Sequence, residues 1–112
     1  MIRAVADTHA ILWYFYNDPR LSAMAGAALD SAVQAGDEIA ISSISLVEIA
    51  YLVEKNRVAS DAFDRVITEL NAPGTSLREI AVNQQVADKL RQIDRAQAPD
   101  MPDRIIAATA LM

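Results

Sequence analysis

Three short apolar runs, Ile2 to Ala6 (IRAVA), Glu38 to Ser42 (EIAIS) and Leu77 to Val82 (LREIAV), recur along the chain with helix-forming sequence between each and the next. Strands joined through helices pair in parallel, because the crossover returns the chain to the edge it started from. The order strand, two helices, strand, two helices, strand, two helices therefore predicts an α/β fold with helices on both faces of a parallel sheet. Carboxyl ends of such strands gather on one edge, and polar residues remote in sequence can meet there.

The helical stretches carry their own punctuation. HAILWYFY is apolar nearly all round, so it is expected to pack on two sides or to join a subunit contact, and Asn17, Asp18 and Pro19 stop it. Ser22 can cap the next helix, which runs to about Ala35 before Gly36. Ser45 is read as the start of SLVEIAYLVEKN. Phe63, Val66, Ile67 and Leu70 make residues 60–71 the clearest amphipathic segment, ended by Pro73 and Gly74. Val86, Ala87, Leu90 and Ile93 mark a further helix. AQAPDMP reads as a loop, and Pro102 suits the first turn of a last helix, DRIIAATALM.

Size and charge restrict function. At 112 residues and 53% hydrophobic, the chain fits one domain, 1–112, burying roughly 65% of its unfolded surface. No apolar window reaches the ~20 residues of a membrane span, since Asp18, Arg20, Asp30, Glu54 and Lys55 interrupt them. The start, MIRAVADTH, lacks a signal-peptide layout. With no cysteine there is no disulfide frame and no thiolate metal site, which suits the cytoplasm. A net charge of −5 is the wrong sign for gripping nucleic acid with a broad basic face. It leaves room for a metal-dependent nuclease, because bound cations invert the local field and Arg57, Arg65, Arg91 and Arg104 can flank a groove.

Three acids stand at strand ends or helix starts: Asp7, Glu48 and Asp103. Two carboxylates ~4 Å apart repel by roughly 4 kcal/mol at an effective dielectric near 20, so a converging trio holds protons or takes up a hard cation. Each acid also has a local explanation. Asp7 can be an N-cap, Glu48 can complete an S-x-x-E capping box with Ser45, and Asp103 can complement the last helix dipole.

The stretches VADTHAILW, AISSISLVEIAYLVEKNR and PDRIIAATALM, taken together and in this order, resemble a PIN-domain ribonuclease, specifically a VapC-type toxin of a bacterial toxin–antitoxin pair. The resemblance implies a three-layer α/β/α sandwich with strand order 3-2-1. It implies Mg²⁺ or Mn²⁺ held by Asp7, Glu48 and Asp103, while Asp100 is read first as a solvated loop carboxylate and second as support for the loop or the outer shell. It also implies an RNA substrate, a VapB-type antitoxin and a homodimer. Family members continue with a fourth acid and two further strands, so the fold is expected to be truncated after Met112, with the first strand at an edge.

An alternative from a different class is a catalytically incomplete PIN scaffold that binds protein. A haloacid-dehalogenase-like reading is weakened by His9, where a second Asp would be needed. His9 could ligate metal or shuttle a proton, and Thr8 could bind a metal-held water or simply start a helix. Ser42, Ser43 and Ser45 lack a base partner for nucleophilic chemistry. Trp13, Tyr14, Phe15 and Tyr16 could stack on bases, but an aromatic run in a helix is more often core or interface, and an interface is expected. Arg57 and Arg104 could touch phosphates.

Overall fold

The computed structural model describes residues 1–94 and 100–112. Strand β2 (Glu38–Ser42) runs between β1 (Ile2–Ala6) and β3 (Leu77–Ile80), and both pairings are parallel. The order is the expected 3-2-1, with β1 at an edge among the described residues. Ile39, Ala40, Ile41 and Ser42 are all buried, so β2 is covered on both faces, which explains why its sequence does not alternate. Ala6 stands opposite Ile41 and Ser42 opposite Ile80, so the three strands finish nearly level.

Six helices follow the strands in pairs: α1 (Thr8–Phe15), α2 (Ala23–Gln34), α3 (Ser43–Glu54), α4 (Ala62–Leu70), α5 (Gln84–Leu90) and α6 (Met101–Ala110). On one face Ile39 and Ile41 join Ile11 and Leu12 of α1, Leu29 and Ala32 of α2, Ile49 of α3 and Val66 of α4 in one core cluster. Each fully buried Ile or Val there contributes roughly 1.5–3 kcal/mol. On the other face Ala40 and Ile80 meet the last turn of α6, and Val86 and Ala108 are buried outside the main cluster. The result is the three-layer arrangement.

Caps define the ends. Ser22 Oγ accepts from the Ala25 amide at 3.1 Å, and Gly36 takes the left-handed φ of 73° after α2. Asn17 does the same after α1 with φ 53°, a conformation Asn tolerates better than most residues.

Four boundaries differ from the sequence reading. The helix assigned to Ser45 begins at Ser43, with Ser42 as its cap. β3 stops at Ile80 rather than Val82, because the Val82 amide leaves the ladder and donates to Ser43 Oγ at 3.0 Å. α4 starts at Ala62, and α5 ends at Leu90, before Ile93. Of the expected loop AQAPDMP, residues 96–99 lie outside the described residues, and Met101 and Pro102 already belong to α6. No helix among the described residues is long and apolar enough to cross a membrane.

Candidate functional site

The carboxyl ends of β1 and β2 turn directly into α1 and α3. Asp7 is the single residue between β1 and α1, and α3 follows β2 without any intervening residue. Asp7 Oδ1 accepts from the Ala10 amide at 2.7 Å, so the capping role expected of it is real. This bond occupies one oxygen of an exposed carboxylate and fixes where the other stands.

Glu48 behaves differently. The capping-box reading fails because Ser42, not Ser45, caps α3, which places Glu48 well inside the helix. Its Oε1 instead accepts from the Thr8 hydroxyl at 2.6 Å, across a sequence separation of 40 residues. Thr8 Oγ1 also lies 3.0 Å from the buried Ser45 hydroxyl. A hydroxyl has one proton to give, and a carboxylate is the stronger acceptor, so Thr8 donates to Glu48 and Ser45 donates to Thr8. The chain Ser45–Thr8–Glu48 thereby holds the second acid beside the residue that follows Asp7. Sequence reasoning treated Thr8 as a helix start and missed this link; a hydroxyl next to the strand-end acid was its only signal.

Asp103 lies in the first turn of α6, exposed, and Asp100 is the cap residue of that helix without a side-chain cap bond. α6 packs against α3, β1 and β2. Its Thr109 and Ala110 line a depression with Ile2 to Val5, which sets its last turn beside β1. Asp103 lies ~9 Å back along the helix from Thr109. Among the described residues, however, no three His, Asp or Glu side chains stand together as one cation-holding group. The structure bonds Glu48 to Thr8, the residue after Asp7, while Asp103 takes part in neither the Glu48 nor the Asp7 hydrogen bond.

The donor chemistry fits a hard cation. Asp7, Glu48, Thr8 and Ser45 offer carboxylate and hydroxyl oxygens, and oxygen donors select Mg²⁺ or Mn²⁺ over softer metals.

The remaining candidates sort themselves by their contacts. Arg104 points inward, with Nη2 3.3 Å from the Leu90 carbonyl and a buried Nε, so it joins α6 to α5 rather than facing a phosphate. Three of the four aromatics have partners within the chain. Tyr14 donates to Asp30 at 2.6 Å, Tyr16 donates to Asp61, and Phe15 packs on the core. Burial, then the Asp30 hydrogen bond, push the Tyr14 phenol up to about 12. Tyr16 is raised for the same kinds of reason beside Asp61.

His9 and Trp13 turn the other way. Their rings lie 5.7 Å apart, and the Arg20 guanidinium sits 5.3 Å above Trp13. Arg20 is itself held by Asp18, through Nη2–Oδ2 at 2.7 Å and Nε–Oδ1 at 3.1 Å, which keeps the Asp18 carboxyl below its ordinary range. A cleft of ≈ 510 Å³ opens here, lined by these groups and Arg57.

A family model described as PIN domain matches residues 4–112. A curated protein, Ribonuclease VapC22 of Mycobacterium tuberculosis, is 29% identical over 111 residues, covering 99% of this chain and 81% of its own length. No solved structure gives a significant match.

Proposed function

We propose, from the premise that this chain belongs to the PIN-domain family, that it is a metal-dependent endoribonuclease toxin. The observation that carries this reading is the coincidence of the family match with the corner where Thr8 ties Glu48 beside Asp7. Likeness to a protein named as a ribonuclease supplies RNA as the substrate class. On the same likeness, residues 1–112 act as one domain in a cytoplasmic homodimer that a VapB-type antitoxin neutralises.

Asp7, Glu48 and Asp103 would hold Mg²⁺ or Mn²⁺ through carboxylate oxygens, directly or through water. When bound, the cation supplies charge neutralisation at the phosphodiester and a lowered pKa for a nearby water. The protein's own part is orientation. The Ala10 amide restrains Asp7 through one oxygen, and the Thr8 hydroxyl restrains Glu48 in the same way. Carboxylates restrained before substrate arrives need less ordering at the moment of reaction. The overall change is hydrolysis: a water oxygen bonds to phosphorus as the bond to the departing ribose oxygen breaks.

Asp7→Asn tests the reading cleanly, because Asn caps a helix about as well as Asp. Manganese-dependent RNA cleavage should fall at least ~10²-fold while thermal unfolding stays put. Undiminished cleavage removes Asp7 from the mechanism.

A second reading, a PIN scaffold that binds protein without cutting, is favoured by one observation: among the described residues the three acids do not form one cation-holding group. Purified chain that leaves RNA intact in Mn²⁺ while still binding its partner would select it.

A further inference from the structure

The cleft beside Asp7 has a composition unlike the rest of this acidic molecule. Its walls carry Arg20, Arg57 and His9 against one carboxylate, Asp18, which Arg20 already engages. With Arg20 offset by Asp18, Arg57 leaves the walls one positive charge in surplus, on a chain whose net charge is −5. The Trp13 ring lines the cleft, with Arg20 on it and His9 tilted against it. The Asp18 clamp keeps Arg20 from swinging away, so the platform is preformed. Arg57 is exposed and, among the described residues, no hydrogen bond or ion pair holds its guanidinium.

The cleft adjoins the acidic corner. A shallow depression is lined jointly by Asp7, His9, Trp13 and Arg20. Trp13 lies six residues beyond Asp7, ~9 Å along the helix, which the next nucleotide of an extended strand can reach. An aromatic face, a free guanidinium and a neighbouring phosphodiester site are the groups that single-stranded nucleic acid uses.

We propose that this cleft receives one unstacked base of single-stranded RNA next to the phosphate cut at Asp7 and Glu48. The base lies against Trp13 and His9, and a phosphate pairs with Arg57. The choice of RNA rests on the nuclease reading; the geometry of the cleft does not.

Trp13 is the only tryptophan in the chain, so its emission reports the cleft directly. Titration with hexaadenylate in EDTA, where no cleavage can occur, should quench it saturably. An abasic hexamer should bind roughly tenfold more weakly or worse, since base–aromatic stacking is lost. Arg57→Ala, at an exposed position that does not endanger folding, should weaken binding about tenfold and flatten the salt dependence by about 0.7. With Mn²⁺ present, the same variant should raise KM and leave kcat near the parent value.

An unresponsive Trp13, equal affinity for the abasic strand, or quenching by a peptide alone overturns the proposal. Because the titration needs no divalent cation, the two readings fail separately. Quenching without cleavage counts against the nuclease and supports the cleft. Cleavage with silent Trp13 does the reverse.

Discussion

The corner between β1 and α3 and the first turn of α6 both carry two or more polar side chains at helix starts, yet they are built differently. In the corner, the Ala10 amide fixes one oxygen of Asp7 and the Thr8 hydroxyl one of Glu48, and Thr8 and its partner Ser45 are buried. At the start of α6, Asp100 makes no side-chain cap bond and Asp103 is exposed. One region holds its carboxylates in place before anything binds. The other leaves its two aspartates rotamer freedom that binding would have to remove. An acid-rich helix start is therefore not equivalent to an organised site, even where charge and sequence position look alike.

Several substitutions break or sharpen this contrast. The largest effect is expected from Glu48→Gln, which keeps the shape but removes the charge. RNA cleavage in Mn²⁺ should fall at least ~10²-fold, and Asp103→Asn made in parallel decides whether α6 belongs to the site. If Asp103→Asn cuts within about threefold of the parent, the working unit is the two-acid corner.

Next comes Thr8→Val, which deletes the hydroxyl at nearly constant volume. Outer-shell partners of this kind typically matter by ~10–100-fold in metal affinity or activity. Isothermal titration with Mn²⁺ should show that loss, together with ~1–3 kcal/mol of destabilisation in urea because Ser45 is left buried without its partner. Equal Mn²⁺ affinity in Thr8→Val and parent would mean that Glu48 needs no positioning.

Ser22→Ala removes the cap of α2 and should cost ~1 kcal/mol of stability in urea unfolding, and an unchanged midpoint would show that this cap bond carries none of it. The smallest effect is alkaline. The Tyr14 phenol ionises near 10 in the unfolded chain and at about 12 in the folded one. Its contribution is thus complete below pH 10 and is lost as pH rises toward 12. Tyr14→Phe should flatten that decline in a denaturation series from pH 9 to 12, and an unchanged decline would show that the burial of Tyr14 and its bond to Asp30 are not its source.

Much of the architecture is legible in the residues, because strand and cap signals are local. IRAVA and EIAIS are strands as read, Asp7 and Ser22 cap the helices assigned to them, and Gly36 ends α2. What escaped is whatever depends on a partner remote in sequence. Ser42, Ser43 and Ser45 can each begin a helix, and only the burial of β2 and the Ser43–Val82 bond decide among them. That decision moves Glu48 out of the capping box and toward Thr8. Arg104 looked solvent-facing by type but is drawn inward by the Leu90 carbonyl.

The seamless passage from β2 into α3 sets a ruler that the chain cannot re-cut. An α-helix turns about 100° per residue, so adding or deleting one residue at the Ser42–Ser43 seam would rotate Glu48 to another side of the barrel-shaped rod while barely changing the helix's length. Insertions in the turn around Gly74 carry no such penalty, which makes length at the seam, more than residue identity along α3, the property that homologous or engineered variants have least room to alter.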